Sequence, residues 1–389
     1  MVKKSVLWLH KWLGLLSGLV VLIVSLTGCM YVFHDDLKVL FYPDKYYIAQ
    51  QSVNNQSVQA LPLSTLTEIA QNTLPDGEEV SRIDLYPAKD RTWIFRAVKT
   101  NEKALTYAAY FKYNKRVFID PYTGKVQAVE NSKTEFFQLV LQLHMNLLLG
   151  KKIGHTVVSV STIMFLILTV TGLVLWWPKK WKVKTLKKGL SFDFSVKWKR
   201  LNYDLHNVLG FYSLLFALLL GFTGLLFSYP SLKEFYSNSF NKLSINEPAN
   251  TISFNTVPQQ KASSLDNALV YTLAKHPLAD MMSVRLKKNE DLHDIQVRIL
   301  KNRTGSFVWY YFNKNDGQIA KIKSSNDTKA GDWLAGMNYD LHTGAFGGIF
   351  TKILYFLASL VCASLPVTGF IIWLNKSKKA KKSKSFKAK

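Results

Sequence analysis

The chain has little cysteine. Two occur among 389 residues, Cys29 and Cys362, and both fall inside hydrophobic runs. That excludes a disulfide framework, a CxxC zinc site and a CxxCH covalent haem attachment. Acidic residues are also scarce, 26 against 50 Lys and Arg, for a net charge of +24. A balance of that sign fits nucleic acid or a membrane surface. Here the lysines flank hydrophobic runs, so they are expected to set membrane topology and touch anionic lipid. No nucleic-acid partner is expected.

Apolar sequence is abundant, 48% of the chain, and it is clustered. Four runs, about 8–33, 154–177, 207–229 and 349–374, each approach the roughly 20 apolar residues that cross a bilayer core. The linker 179–200 holds nine basic residues against Asp193 alone. The tail from Lys376 holds eight lysines and no acid, while the segment 35–135 is neutral, with 13 of each sign. The positive-inside rule puts both termini and the linker in the cytoplasm. Trp8, Trp12, Trp176, Trp177, Trp181, Trp198 and Trp373 collect on that side as an interfacial belt. Leu26-Thr27-Gly28-Cys29 resembles a lipoprotein cleavage site. Thr-Gly recurs in the other three spans without a cysteine, so helix packing is the preferred reading of the pair and the first span is expected to be an uncleaved anchor.

The expected order is a first span in 1–34, an outer domain over 35–135, and an interfacial helix with the second span over 136–178. The basic linker 179–200 follows, then the third span over 201–229 and a second outer domain over 230–336. The fourth span occupies 337–375, and the Lys-rich tail 376–389 closes the chain. The outer segments repeat each other. Ala60 to Pro75 and Ser263 to Pro277 both read as amphipathic helices stopped by proline. Alternating strand-like runs follow at 83–86, 92–98, 108–113 and 116–119, and again at 282–286, 294–300, 306–312 and 317–321. The turn Asp120-Pro121-Tyr122-Thr123-Gly124 has a counterpart in Asn313-Lys314-Asn315-Asp316-Gly317. The expected fold class is an α-helical membrane protein with four transmembrane helices in a parallel internal repeat, carrying two small α+β outer domains.

Four histidines sit at span ends. Leu9-His10 is followed by Thr27-Gly28, and Leu205-His206 by Thr223-Gly224 at the same offsets. Leu143-His144 precedes Thr171-Gly172, and Leu341-His342 precedes Thr368-Gly369. Ionisable groups at a membrane boundary need a reason to be there. A parallel repeat places His10 with His206 at the inner depth and His144 with His342 at the outer one. Each pair can hold a ligand on the axis from both sides, and imidazole suits haem iron. Gly14 and Gly28 share the His10 face within about 40°, as Gly210 and Gly224 share that of His206, leaving room for a macrocycle. The competing reading is interfacial histidines that cap helices or hold a divalent metal. His155, without a counterpart in the second half, is an alternative ligand, and His34 an alternative at an outer substrate surface. His276 and His293 read as surface residues. Asp204 and Asp340, each two residues before a histidine, either cap a helix or orient an imidazole, and capping is preferred. Trp93, Trp309, Tyr310 and Tyr311 alternate as strand core residues do.

Over about residues 5–375 the chain resembles the PepSY-associated transmembrane family. The resemblance rests on the Leu-His-x-x-Leu-Gly start, the two outer domains, Leu143-His144, and Asp340-Leu341-His342-Thr343-Gly344 before the last span. The outer domains are then PepSY-like and periplasmic. The most similar branch comprises iron-regulated inner-membrane proteins, including ferric-siderophore reductases with two b-type haems. The resemblance implies two non-covalent, bis-histidine haems on His10/His206 and His144/His342. It implies electrons drawn from a cytoplasmic or quinol donor and delivered to a ferric siderophore. No flavin or nicotinamide motif is present, so the donor is another molecule. A different class remains open: a non-enzymatic PepSY membrane protein that binds a peptide, a protease or a transporter partner.

Overall fold

The structure is a computed structural model, described here over residues 2–48, 59–178, 182–243, 263–286, 291–301 and 305–387. The chain divides into two compact units. One comprises residues 1–33, 140–230 and 341–389, and the other residues 34–139 and 231–340.

The first unit is helical. α1 (Val2–Val32), α7 (Lys151–Trp176) and the helix from Ala345 to Ser377 are each long and apolar enough to cross a membrane. The expected third span is instead two helices, Trp198–Tyr212 (α9) and Leu214–Ser228 (α10), bent by 63°. The bend falls at Ser213, whose hydroxyl donates to the Gly210 carbonyl at 3.4 Å. A Gly/Ser pair is a common cause of a sharp kink, and the sequence reading of one straight span missed it. Among the described residues there are thus three or, with the bent pair, four candidate spans. α1 packs along both α7 and the last long helix, α15 (Gly348–Lys387). Leucine-rich helix surfaces stay exposed, Leu16 and Leu19 at 69% each, as lipid-facing side chains do.

Between spans, α6 (Phe136–Asn146) carries His144 and then stops. Leu147 and Leu148 lie at φ 54° and 56°, a left-handed turn that reverses the chain into α7. Gly154 sits where any Cβ would run into the Asn146 carbonyl, so the start of α7 needs glycine to close on the end of α6. α6 is a separate helix where the sequence reading expected a short interfacial one before the second span. Trp181 of the expected aromatic belt lies outside the described residues.

The second unit is built on antiparallel strands: β1 (Val80–Leu85), β2 (Trp93–Thr100), β3 (Phe111–Ile119), β4 (Val126–Asn131), β5 (Met281–Arg285), β6 (Leu292–Arg298), β7 (Phe307–Asn313) and β8 (Ile319–Ser324). The two polar segments share one eight-stranded sheet, in the order β4-β3-β2-β1-β5-β6-β7-β8. They join where β1 pairs with β5, Ile83 opposite Val284. This edge-to-edge join was not expected from sequence. In the first segment the runs 108–113 and 116–119 fuse into the single strand β3, after a helical turn at Tyr107–Tyr110. The two hairpin turns do match. Gly124 N–H donates to Asp120 O and Gly317 N–H to Asn313 O, both at 2.9 Å, with the glycines at φ 73° and 69°.

One core runs under the whole sheet. Ile83, Leu85, Phe95, Val117, Met282, Val284, Ile295 and Phe312 bury one face against α4 (Leu63–Thr73) and α12 (Ser264–Lys275). Trp93 and Tyr310 belong to this core, whereas Trp309 and Tyr311, expected there too, are half-buried and stack on each other with ring centroids 6.2 Å apart. Asp266 ties the two helices together. It accepts from Ser64 N–H at 2.9 Å and Ser64 Oγ at 2.6 Å, while Ser263 caps α12 by accepting from Asp266 N–H. On the other face, α2 (His34–Phe41) and α3 (Pro43–Tyr46) pack Tyr46 against Ile94 and Phe118.

Candidate cofactor site: four histidines in threonine sockets

The four span-end histidines come together in the two expected pairs. His10, on α1, and His206, on α9, have ring centroids 6.3 Å apart with planes at 86°. His144, on α6, and His342, on α14 (Asn338–Thr343), have centroids 6.1 Å apart at 67°. All four side chains are half-buried. Each sits within the helical unit, at a depth where an uncompensated polar group costs free energy.

The compensation comes from threonine. His10 Nδ1 lies 2.9 Å from Thr171 Oγ1, and His206 Nδ1 lies 2.9 Å from Thr368 Oγ1. His342 Nδ1 is 2.8 Å from Thr223 Oγ1. His144 Nδ1 is 3.2 Å from Thr27 Oγ1 and 2.9 Å from the Val24 carbonyl. The glycine after each threonine receives the ring edge. A Cβ on Gly172, Gly369, Gly28 or Gly224 would meet a histidine Cε1 at 3.4, 3.2, 3.3 or 3.5 Å. Thr-Gly was expected to pack helix on helix. Here it packs helix on imidazole.

The sockets link spans reciprocally. α7 holds the histidine of α1 through Thr171, and α1 holds the histidine before α7 through Thr27. α10 and α15 do the same for His342 and His206. Asn202, almost fully buried, adds a further tie by donating from Nδ2 to the Thr368 carbonyl at 3.1 Å. Sequence reading passed over Asn202, which lies one helical turn before His206 and carries no pattern of its own.

A cavity of about 1080 Å³ opens beside the His10/His206 pair. His10 and His206 line it together with Gly14, Gly18 and Gly210, largely apolar side chains, and Lys4, Lys11 and Lys376. Gly14 and Gly210 thus face the space expected of them. Gly28 and Gly224 instead touch His144 and His342. Among the described residues no group of three or more His, Cys, Asp or Glu could hold a bare metal ion. Two imidazoles suit an ion whose remaining ligands come with it.

The other candidates lie elsewhere. His155, on α7, rests its ring against Tyr229 at 6.4 Å. His34 is buried, with Nε2 3.0 Å from Asp35. His276 Nε2 is 2.7 Å from the Tyr310 hydroxyl, and His293 is on β6; burial lowers both below the ordinary histidine range. Both are half-buried rather than the surface residues expected. Asp204 lies inside α9 and pairs with Arg200 at 2.9 Å, so it does not cap that helix. Asp340 accepts from Gly305 N–H at 2.8 Å.

Spans of this length and hydropathy, joined to an antiparallel sheet unit, define a multi-pass membrane protein in contact with lipid. The chain belongs to the PepSY-associated TM region family, whose profile matches residues 7–376. No curated protein sequence matches it.

Proposed function

We propose that the protein is an inner-membrane di-haem b electron-transfer protein that delivers electrons to a ferric siderophore in the periplasm. The observation that carries this reading is the spacing of the histidine pairs. Two imidazoles that would hold one metal ion between them, each at about 2.0 Å, need ring centroids roughly 6 Å apart. The measured separations are 6.3 and 6.1 Å, at two places in one bundle. His10 and His206 would hold one haem, His144 and His342 the other. The residues fit the group. The cavity beside His10 and His206 is apolar where a porphyrin needs it, glycine-lined at Gly14 and Gly210, and basic at Lys4, Lys11 and Lys376, which suits haem carboxylates.

Bound haem supplies one-electron exchange at its iron. The chain supplies ligands, burial and orientation. The helical unit then reads as a parallel repeat with its axis between the pairs, and each half of the sheet as a PepSY-like domain. The basic linker and tail support cytoplasmic termini by the positive-inside rule, with a cytoplasmic protein or quinol as the donor. Iron leaves a siderophore more easily once reduced by one electron, because ferrous iron is softer than the hard oxygen ligands prefer. Stopped-flow mixing of the dithionite-reduced protein with a ferric siderophore tests the reading. Oxidation at a rate that saturates with chelate supports it, and an unreactive reduced protein contradicts it.

A further inference from the structure

The bonding around each histidine fixes more than its position. Each threonine hydroxyl lies within donating reach of the carbonyl four residues earlier in its own helix. The distances are 2.7 Å from Thr27 to Ile23, 2.8 Å from Thr171 to Ile167, 2.6 Å from Thr223 to Leu219 and 3.0 Å from Thr368 to Ser364. A hydroxyl has one proton. With that proton committed to the carbonyl, Oγ1 can only accept from the histidine. Val24 O, 2.9 Å from His144 Nδ1, is an acceptor under any circumstances. The equivalent carbonyls of Leu168, Leu365 and Leu220 lie beside His10, His206 and His342. Each lies three residues before its threonine. In all four sockets, therefore, Nδ1 carries the hydrogen.

We infer that Thr27, Thr171, Thr223 and Thr368 are positioning residues that hold the four histidines as neutral Nδ1–H imidazoles, each with its Nε2 lone pair free to bind a metal ion. The glycine that follows each threonine lies against the ring, most tightly at Gly369 and Gly28, where a Cβ would stand 3.2 and 3.3 Å from Cε1. Because every socket sits on a different helix from its histidine, docking of the spans and orientation of the ligand are one event. This inference rests on the haem reading for its consequence, not for its geometry. Partners of this kind raise the basicity of a ligand and hold its ring plane, and their loss costs roughly 10–100-fold in metal affinity or activity.

Thr368→Val keeps the shape of the side chain and removes the acceptor from His206, while Thr368→Ser retains it. In the haem-loaded full chain, Thr368→Val is expected to shift the midpoint potential and the low-spin electron-paramagnetic signature of one haem and to speed its loss about tenfold or more. The serine variant should restore all three. A valine variant identical to the parent, or a serine variant that fails as valine does, overturns the inference. Nitrogen-15 spectra of the histidine-labelled, haem-free chain separate this from the haem reading. His206 should be protonated at Nδ1, with a resonance that moves in Thr368→Val and returns in Thr368→Ser. Protonation at Nε2, or no movement, overturns the socket even in a protein that takes up haem. A protein that takes up no haem but shows the expected resonances overturns the haem reading and leaves the socket standing.

Discussion

Gly369 places its Cα so close to His206 that a single added methyl would stand 3.2 Å from the ring carbon Cε1. That contact lies between helices far apart in the chain, α15 and α9, and it sets how far the imidazole reaches from its socket. Gly369→Ala is expected to push His206 outward and lower haem content at the inner pair by half or more. Gly336→Ala, in the sheet unit, whose methyl would meet Phe307 at an ordinary 3.5 Å, should leave that content near the parent level. Pyridine haemochrome assays of the two variants check the contrast. Equal haem in both would show that ring depth is not set by this glycine.

Loss of either histidine of a pair should remove the same cofactor. His10→Ala and His206→Ala are expected to lose one haem each, the double variant no more than either, and His144→Ala or His342→Ala the other haem. The outer variants should keep a dithionite-reducible inner haem while losing oxidation by a ferric siderophore, as read by stopped-flow absorbance. Additive losses from His10→Ala and His206→Ala would mean that the two residues serve different cofactors.

The sheet depends on one buried carboxylate at its join. Asp84, on β1, pairs with Arg82 at 2.7 Å and Arg96 at 3.2 Å and accepts from Ser283 Oγ, on β5, at 3.0 Å. Burial alone raises its carboxyl. Arg96 and Arg82 outweigh that, with hydrogen bonds adding to them, so it titrates below the usual range. A depressed carboxyl contributes stability that is present above its unfolded value and lost as pH falls through the folded one. Asp84→Ala should cost about 1–2 kcal/mol, because it leaves two partly exposed guanidinium partners uncompensated. Thermal unfolding of the sheet signal by circular dichroism, at neutral pH and near pH 3, checks both parts. The parent should lose stability on acidification and the variant should lose less. An equal acid response in both would remove Asp84 from the account.

The proposed topology rests on charge. A reporter fused after Lys389 is expected to be active only in a form that works in the cytoplasm. Activity of a periplasmic reporter at that site would invert the orientation and exchange the inner and outer haem assignments.

Much of this was legible in the chain. The span-end histidines could be paired from their matched offsets to Thr-Gly, and the two hairpin turns could be aligned residue by residue, because local chemistry dictates both. The Thr-Gly dipeptide was visible too, but its role was not. A threonine seventeen residues from one histidine bonds a different one, and only the packing of α1 on α7 decides which. The bend at Ser213 was hidden because Leu214–Ser228 is apolar enough to continue a span, and hydropathy does not report a kink. The β1–β5 join was hidden for another reason. Arg82 and Arg285 face each other across it, and like charges side by side argue against pairing unless Asp84 and Asp294 are known to stand beside them.

The most direct measurement is the visible spectrum of the detergent-purified full chain before and after dithionite, with haem counted per chain. Two haems with sharp low-spin b-type bands, falling to one in His10→Ala and in His206→Ala alike, is the predicted result. A colourless protein, or haem retained in full by both variants, would contradict the claim that these histidine pairs are cofactor ligands.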